Sequence, residues 1–168
     1  MAQAKAEQSS LLIPHSVTAM PAVERFAANV VRIGDEIGGI EIGWICDYFE
    51  RHFLGVVEEN VPARDLPGHT LARYSRDEPI ITAMGGTMKD LGPAGTPLAH
   101  LFGVIPLGLK GPGLFNGYIN IGYALSPIDQ EPCAVHWNVY DGKLGIRASP
   151  ASRPFVWLGG YCVFGGDA

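Results

Sequence analysis

Charged side chains are scarce in the second half of this chain. Residues 91 to 168 hold Lys110, Lys143, Arg147 and Arg153 against Asp129, Glu131, Asp141 and Asp167, where ~25% charged residues is usual. Between Leu91 and Ile128 the only charge is Lys110. A freely solvated surface needs roughly 25–35% charged residues. The tail portion is therefore expected either to form the interior of the domain or to be buried against other copies or a partner.

Other absences narrow the field further. The 12 Lys and Arg residues stand singly in a chain of net charge −5, which argues against nucleic acid, since phosphate binding depends on clustered bases. Cys46, Cys133 and Cys162 are few, odd in number and far apart. They suit small core residues in a reducing compartment rather than a disulfide framework. Met1 to Gln8 lacks the apolar stretch of a secretory signal, so a cytoplasmic or particle-associated location is expected. The uncharged run from Leu91 to Leu109 is interrupted by Pro93, Pro97 and Pro106, and no membrane span is expected.

Motifs for chemistry are missing too. No Gly-x-Ser-x-Gly elbow occurs, and none of Ser75, Ser126, Ser149 or Ser152 stands beside a base in sequence. Gly108, Gly111 and Gly113 lack the Gly-Lys-Ser/Thr ending of a phosphate cradle. The histidines are single, and the one close Cys/His pair, Cys133 with His136, is offset so that an extended segment turns the two to opposite faces. No metal and no cofactor is expected.

What is present describes a folded, turn-rich domain. With 168 residues, 47% of them apolar, the chain is large enough for one domain and rich enough for a core. Its 22 Gly and 13 Pro point to short strands and tight turns. Met1 to Pro14 read as an arm with an apolar end, residues 15 to 168 as the domain.

Local patterning is clearest at Asp141-Gly142, a type I′ turn signal. A two-residue loop there pairs Tyr140 with Lys143, Trp137 with Ile146 and His136 with Arg147. One face then holds Val135, Trp137, Val139, Leu144, Ile146 and Ala148, and the other His136, Asn138, Tyr140, Lys143 and Arg147. A second hairpin is expected at Asn116-Gly117, leading into a strand from Tyr118 to Leu125, and Phe155 to Leu158 with Tyr161 to Phe164 read as a third pair or as one strand kinked at Gly159-Gly160. Ile80 to Met84 and Leu101 to Leu109 read as shorter strands. Pro21, Val23, Phe26, Ala27, Val30 and Ile33 fit a helix, in competition with a hairpin of residues 29–33 and 40–45. A helix is expected from about Cys46 to Glu59 with a strand before it, then a surface loop from Glu59 to Pro79. The expected fold is α+β and β-rich: an antiparallel sandwich or small barrel from the C-terminal half, with one or two helices from the N-terminal half.

The polar hairpin face is the candidate site. His136 suits a general acid or base, Tyr140 and Asn138 suit donors to a ligand oxygen, and Arg147 suits a carboxylate. A face turned to plain water, the default for an antiparallel sheet, is the competing expectation. Glu58 and Glu59 suit a solvated helix end rather than an acid pair, and Asp47, Glu50 and His52 suit either the approach to a pocket or plain helix-surface polarity, which explains them without chemistry. Trp44, Trp137, Trp157, Phe115, Phe155, Phe164 and Tyr161 suit core or interface anchors. Taken together, charge scarcity, the arm and the missing catalytic motifs point to a non-enzymatic subunit that self-associates, as in a particle or virion-like shell. The alternative is a small barrel enzyme or carrier binding an apolar small molecule, with His136, Tyr140 and Arg147 at its mouth.

Overall fold

The computed structural model describes residues 11–107 and 118–167. In chain order the elements are β1 (Leu12–Met20), β2 (Val23–Ala27), β3 (Glu36–Ile37), β4 (Ile40–Ile45), α1 (Asp47–Phe53), β5 (Val57–Val61), β6 (Arg64–Leu71), α2 (Asp77–Ala83), α3 (Leu98–Val104), β7 (Asn120–Leu125), β8 (Pro132–Tyr140), β9 (Lys143–Pro150) and β10 (Cys162–Phe164). Eight strands form one sheet in the order β1-β6-β10-β7-β8-β9-β4-β3, and β2 pairs with β5 in a separate ribbon. The fold is α+β and β-rich.

Asp141 and Gly142 have φ of 52° and 75°, the left-handed pair that a type I′ turn requires. The β8–β9 register follows from it: Tyr140 faces Lys143, Trp137 faces Ile146 and His136 faces Arg147.

Both faces of the sheet are covered. On one, Val135, Trp137, Leu144, Ile146 and Phe164 pack with α1 and α3 residues such as Phe49, Phe53, Leu101 and Phe102. On the other, Ile121, Tyr123, Ala134 and Val163 pack with Ile80, Ile81 and Trp157, and Leu11, Leu12 and Leu71 join them. Side chains alternate between faces along a strand, so a strand covered on both sides needs apolar or small residues at every position. That accounts for the scarcity of charge in β7, β10 and most of β8, which lie in the middle of the sheet and are buried. Gly122 is where α3 meets β7: an added Cβ would collide with the Leu101 side chain.

Several expectations are corrected. Among the described residues the sheet is open, with β1 and β3 as its ends, so there is no barrel. Neither end offers a regular ladder for closure: β1 carries Pro14 and a bulge between Pro14 and Ser16, and β3 is two residues long. The sheet is also mixed, because β10 runs parallel to β7 and β4 parallel to β9. Residues 21–33 form β2 and a 3-10 turn (Ala28–Val30), not a helix. The helix after Cys46 ends at Phe53, and Val57–Val61 is strand.

The surface loop expected from Glu59 to Pro79 contains β6 instead. Pro67 fits there because it lies one residue past the last β10 pairing, Phe164 with Gly68, where no β10 partner needs its missing N–H. Ile80 to Met84 belong mostly to α2, whose first turn carries Asp77 and Glu78. Residues 101–107 complete α3 and a 3-10 turn (Ile105–Leu107). Of the third pair only β10 forms; Trp157 instead bridges to Ser75. The Asn116-Gly117 turn, the glycines at 108, 111 and 113 and the arm from Met1 to Ser10 lie outside the described residues. Among the described residues no helix is long and apolar enough to cross a membrane.

Candidate functional site

The polar face of the β8–β9 hairpin is not open to water throughout. Its lower half is the floor of a cleft of about 750 Å³, with His136 and Arg147 side by side. One wall is the end of β4 and the start of α1, presenting Trp44, Cys46, Asp47 and Tyr48; the other is the segment after β9, presenting Arg153, Phe155 and Trp157.

The β4 wall is fixed by the parallel pairing with β9. A bulge between Ile42 and Trp44 sets Trp44 opposite Gly145. Arg147 lies over that ring, its guanidinium carbon 4.5 Å from the centroid, a favourable cation–π geometry. Its Nη1 donates to Asn138 Oδ1 at 3.1 Å. Cys46 clamps α1 to β9: its sulfur accepts the N–H of Phe49 at 3.4 Å and of Ala148 at 3.3 Å.

The opposite wall depends on Trp157. Its backbone exchanges two hydrogen bonds with Ser75 at 3.0 and 2.8 Å, and its indole N–H donates to Asp77 Oδ1 at 2.6 Å. Tyr123 donates to the same oxygen at 2.7 Å. Asp77 is fully buried, Oδ2 has no partner among the described residues, and burial raises its carboxyl to about 6 against the two hydrogen bonds that lower it.

Trp157 meets the His136 ring edge to face at 4.9 Å. His136 is 8% exposed and its Nδ1 has no hydrogen-bond partner among the described residues. Burial, with the Arg147 charge second, lowers its pKa to about 3, so the ring is neutral at pH 7. A neutral imidazole can donate or accept one hydrogen bond, but at this pKa it is too weak a base to take a proton readily near neutrality.

Of the residues singled out in the sequence, His136 and Arg147 are brought together in the cleft and Asn138 holds Arg147. Tyr140 is not brought to them. It is 80% exposed near the turn and lines a shallower groove of about 300 Å³, shared with Trp44, Asn138 and Arg147. Among the described residues the sheet is open, so no barrel mouth collects these groups. Cys133 packs on the opposite face from His136, in the cluster with Trp137. Glu58 accepts the N–H groups of Leu98 and Ala99 at 3.0 and 2.7 Å, capping α3 from a separate strand. Glu59 pairs with Arg25 at 3.8 Å on the surface.

Sequence order concealed two arrangements. Asp77 supports Trp157 from 80 positions away, and nothing local signals it. Ser126 stands 2.9 Å from His52 Nδ1, with Asp129 drawn below its usual carboxylate range first by the Glu131 N–H and then by Ser126. The hydroxyl is fully buried and also receives the Ile128 N–H at 3.3 Å. It ties the β7–β8 turn to α1 rather than facing a substrate.

The chain matches no known family model, curated protein or solved structure.

Proposed function

We propose that this chain is a small-molecule-binding domain, a carrier or sensor, whose cleft takes a flat apolar ligand. The observation that carries it is His136: a polar ring nitrogen without a protein partner among the described residues, buried in the wall of an aromatic cleft. A buried orphan nitrogen costs roughly 1–3 kcal/mol, and binding sites are where such groups are retained. The low basicity of the buried His136 ring favours binding over turnover.

The test uses 1-anilinonaphthalene-8-sulfonate as probe. Saturable fluorescence enhancement at one site per chain, lost when Ser149→Phe fills the cleft floor while circular dichroism is unchanged, supports the proposal. Enhancement that persists in the filled variant contradicts it.

A second reading, self-association as a subunit of a larger particle, is favoured by a different feature. Phe155, Val156 and Leu158 are exposed around Trp157, and Tyr74, beside the Ser75 bridge, is exposed as well. A second copy covering them would form a stable contact at about 1,600 Å² of buried surface. Sedimentation equilibrium from low to high micromolar protein decides it: a mass that stays at one chain rules it out.

A further inference from the structure

The cleft is asymmetric in charge. Arg147 and Arg153 line it with one carboxylate, Asp47, and His136 adds no charge at neutral pH, which leaves one net positive charge. Arg147 has no ion-pair partner among the described residues. It is nevertheless held in place, over Trp44 on one side and by Asn138 on the other. Only Nη1 has a hydrogen bond among the described residues, so the remaining N–H donors of a fixed guanidinium fork have no protein acceptor among them, and Arg147 lines both the cleft and the shallower groove beside it. A pre-oriented fork loses little conformational entropy on pairing with a planar oxyanion.

Resting on the small-molecule reading above, we infer that the ligand is an aromatic monocarboxylate, its carboxylate paired with Arg147 and its ring between Trp44 and the Phe155–Trp157 wall. A single net charge suits a monoanion better than a phosphate ester, which brings up to two negative charges. The aromatic residues of both walls suit a flat body, since rings stack or meet edge to face at 4.5–7 Å. His136, beside Arg147, is placed to give one hydrogen bond that orients the acid without competing for its charge.

The experiment compares 2-naphthoate with 2-naphthamide, near-isosteric probes that differ in charge, by calorimetry on the full chain. The carboxylate is expected to bind about tenfold or more tightly than the amide, the range of a charge-assisted hydrogen bond. Arg147→Met is expected to remove that preference by weakening naphthoate alone, and Arg147→Lys to restore only part of it. Ser149→Phe abolishes binding of both.

Equal affinity of the wild-type chain for both probes overturns the carboxylate assignment and leaves the cleft as a neutral-ligand site. So does an Arg147→Met variant that weakens both alike. Binding of neither probe, or naphthoate binding that survives Ser149→Phe, overturns the small-molecule reading with it. The wild-type comparison stands even if an Arg147 variant fails to fold.

Discussion

Asp77 and His136 both contact the Trp157 indole and answer acid in opposite directions. Asp77 has a folded pKa of about 6 against an ordinary 3.8; its contribution to stability is fully present below about pH 4 and is lost as pH rises through 6. His136 has a folded pKa of about 3 against 6.5, so stability is lost as pH falls from 6.5 towards 3. Burial lowers His15 and His69 as well, which adds to the loss in acid. His136→Gln is therefore expected to flatten the fall in urea midpoint between pH 6.5 and 4 relative to wild type; an unchanged slope contradicts the neutral, buried histidine. Asp77→Asn is expected to gain stability at pH 8, with the gain vanishing near pH 4. Asp77→Leu leaves the Tyr123 hydroxyl and the Trp157 N–H without their acceptor and is expected to lose roughly 2–4 kcal/mol at both pH values, read from the same denaturation curves.

Among the elements, α3 is the one whose start depends most on another part of the chain. Its N-cap position is Pro97, which supplies no capping side chain, and Glu58 on β5 does that work instead. Glu58→Ala is expected to cost about 1–2 kcal/mol in thermal denaturation while leaving probe affinity at the cleft unchanged. This remoteness also explains why α3 was not legible in sequence: Leu101 to Leu109 is a plain apolar run, equally compatible with a strand, and its cap lies 40 positions upstream. The β8–β9 hairpin was fully legible because everything that sets it is local, the Asp-Gly turn and the alternation on either side. So was the pairing that sets His136 beside Arg147 in the candidate site. The α2 helix has a local signal, Asp77 and Glu78 followed by Pro79 in its first turn, but its Ile80-Ile81 pair is β-branched and equally compatible with a strand. Residues 21–33 differ in another way: apolar spacing fits a helix, but β2 forms by pairing with β5 and Phe26 stacks on Phe102, partners thirty or more residues on that no periodicity reveals. The walls of the cleft were illegible for the same reason, since β4 meets β9 and Trp157 meets Asp77 only in the folded chain.

For the whole molecule, the scarcity of charge after Leu91 follows from topology: β7, β10 and most of β8 occupy the centre of the sheet and are covered on both faces. Burial against a partner is not required to explain it, which moves the weight of the functional argument to the cleft. The three tryptophans give that argument a direct readout. Trp44 and Trp157 line the cleft, whereas Trp137 lies on the far face of the sheet, stacked on Phe164 at 5.8 Å. Titration of the nitrogen-15-labelled chain with 2-naphthoate, followed through the indole N–H resonances, should shift Trp44 and Trp157 in parallel and leave Trp137 in place. Indoles that all stay unmoved at millimolar probe, or a Trp137 signal that moves as far as the other two, would contradict a ligand site on this face.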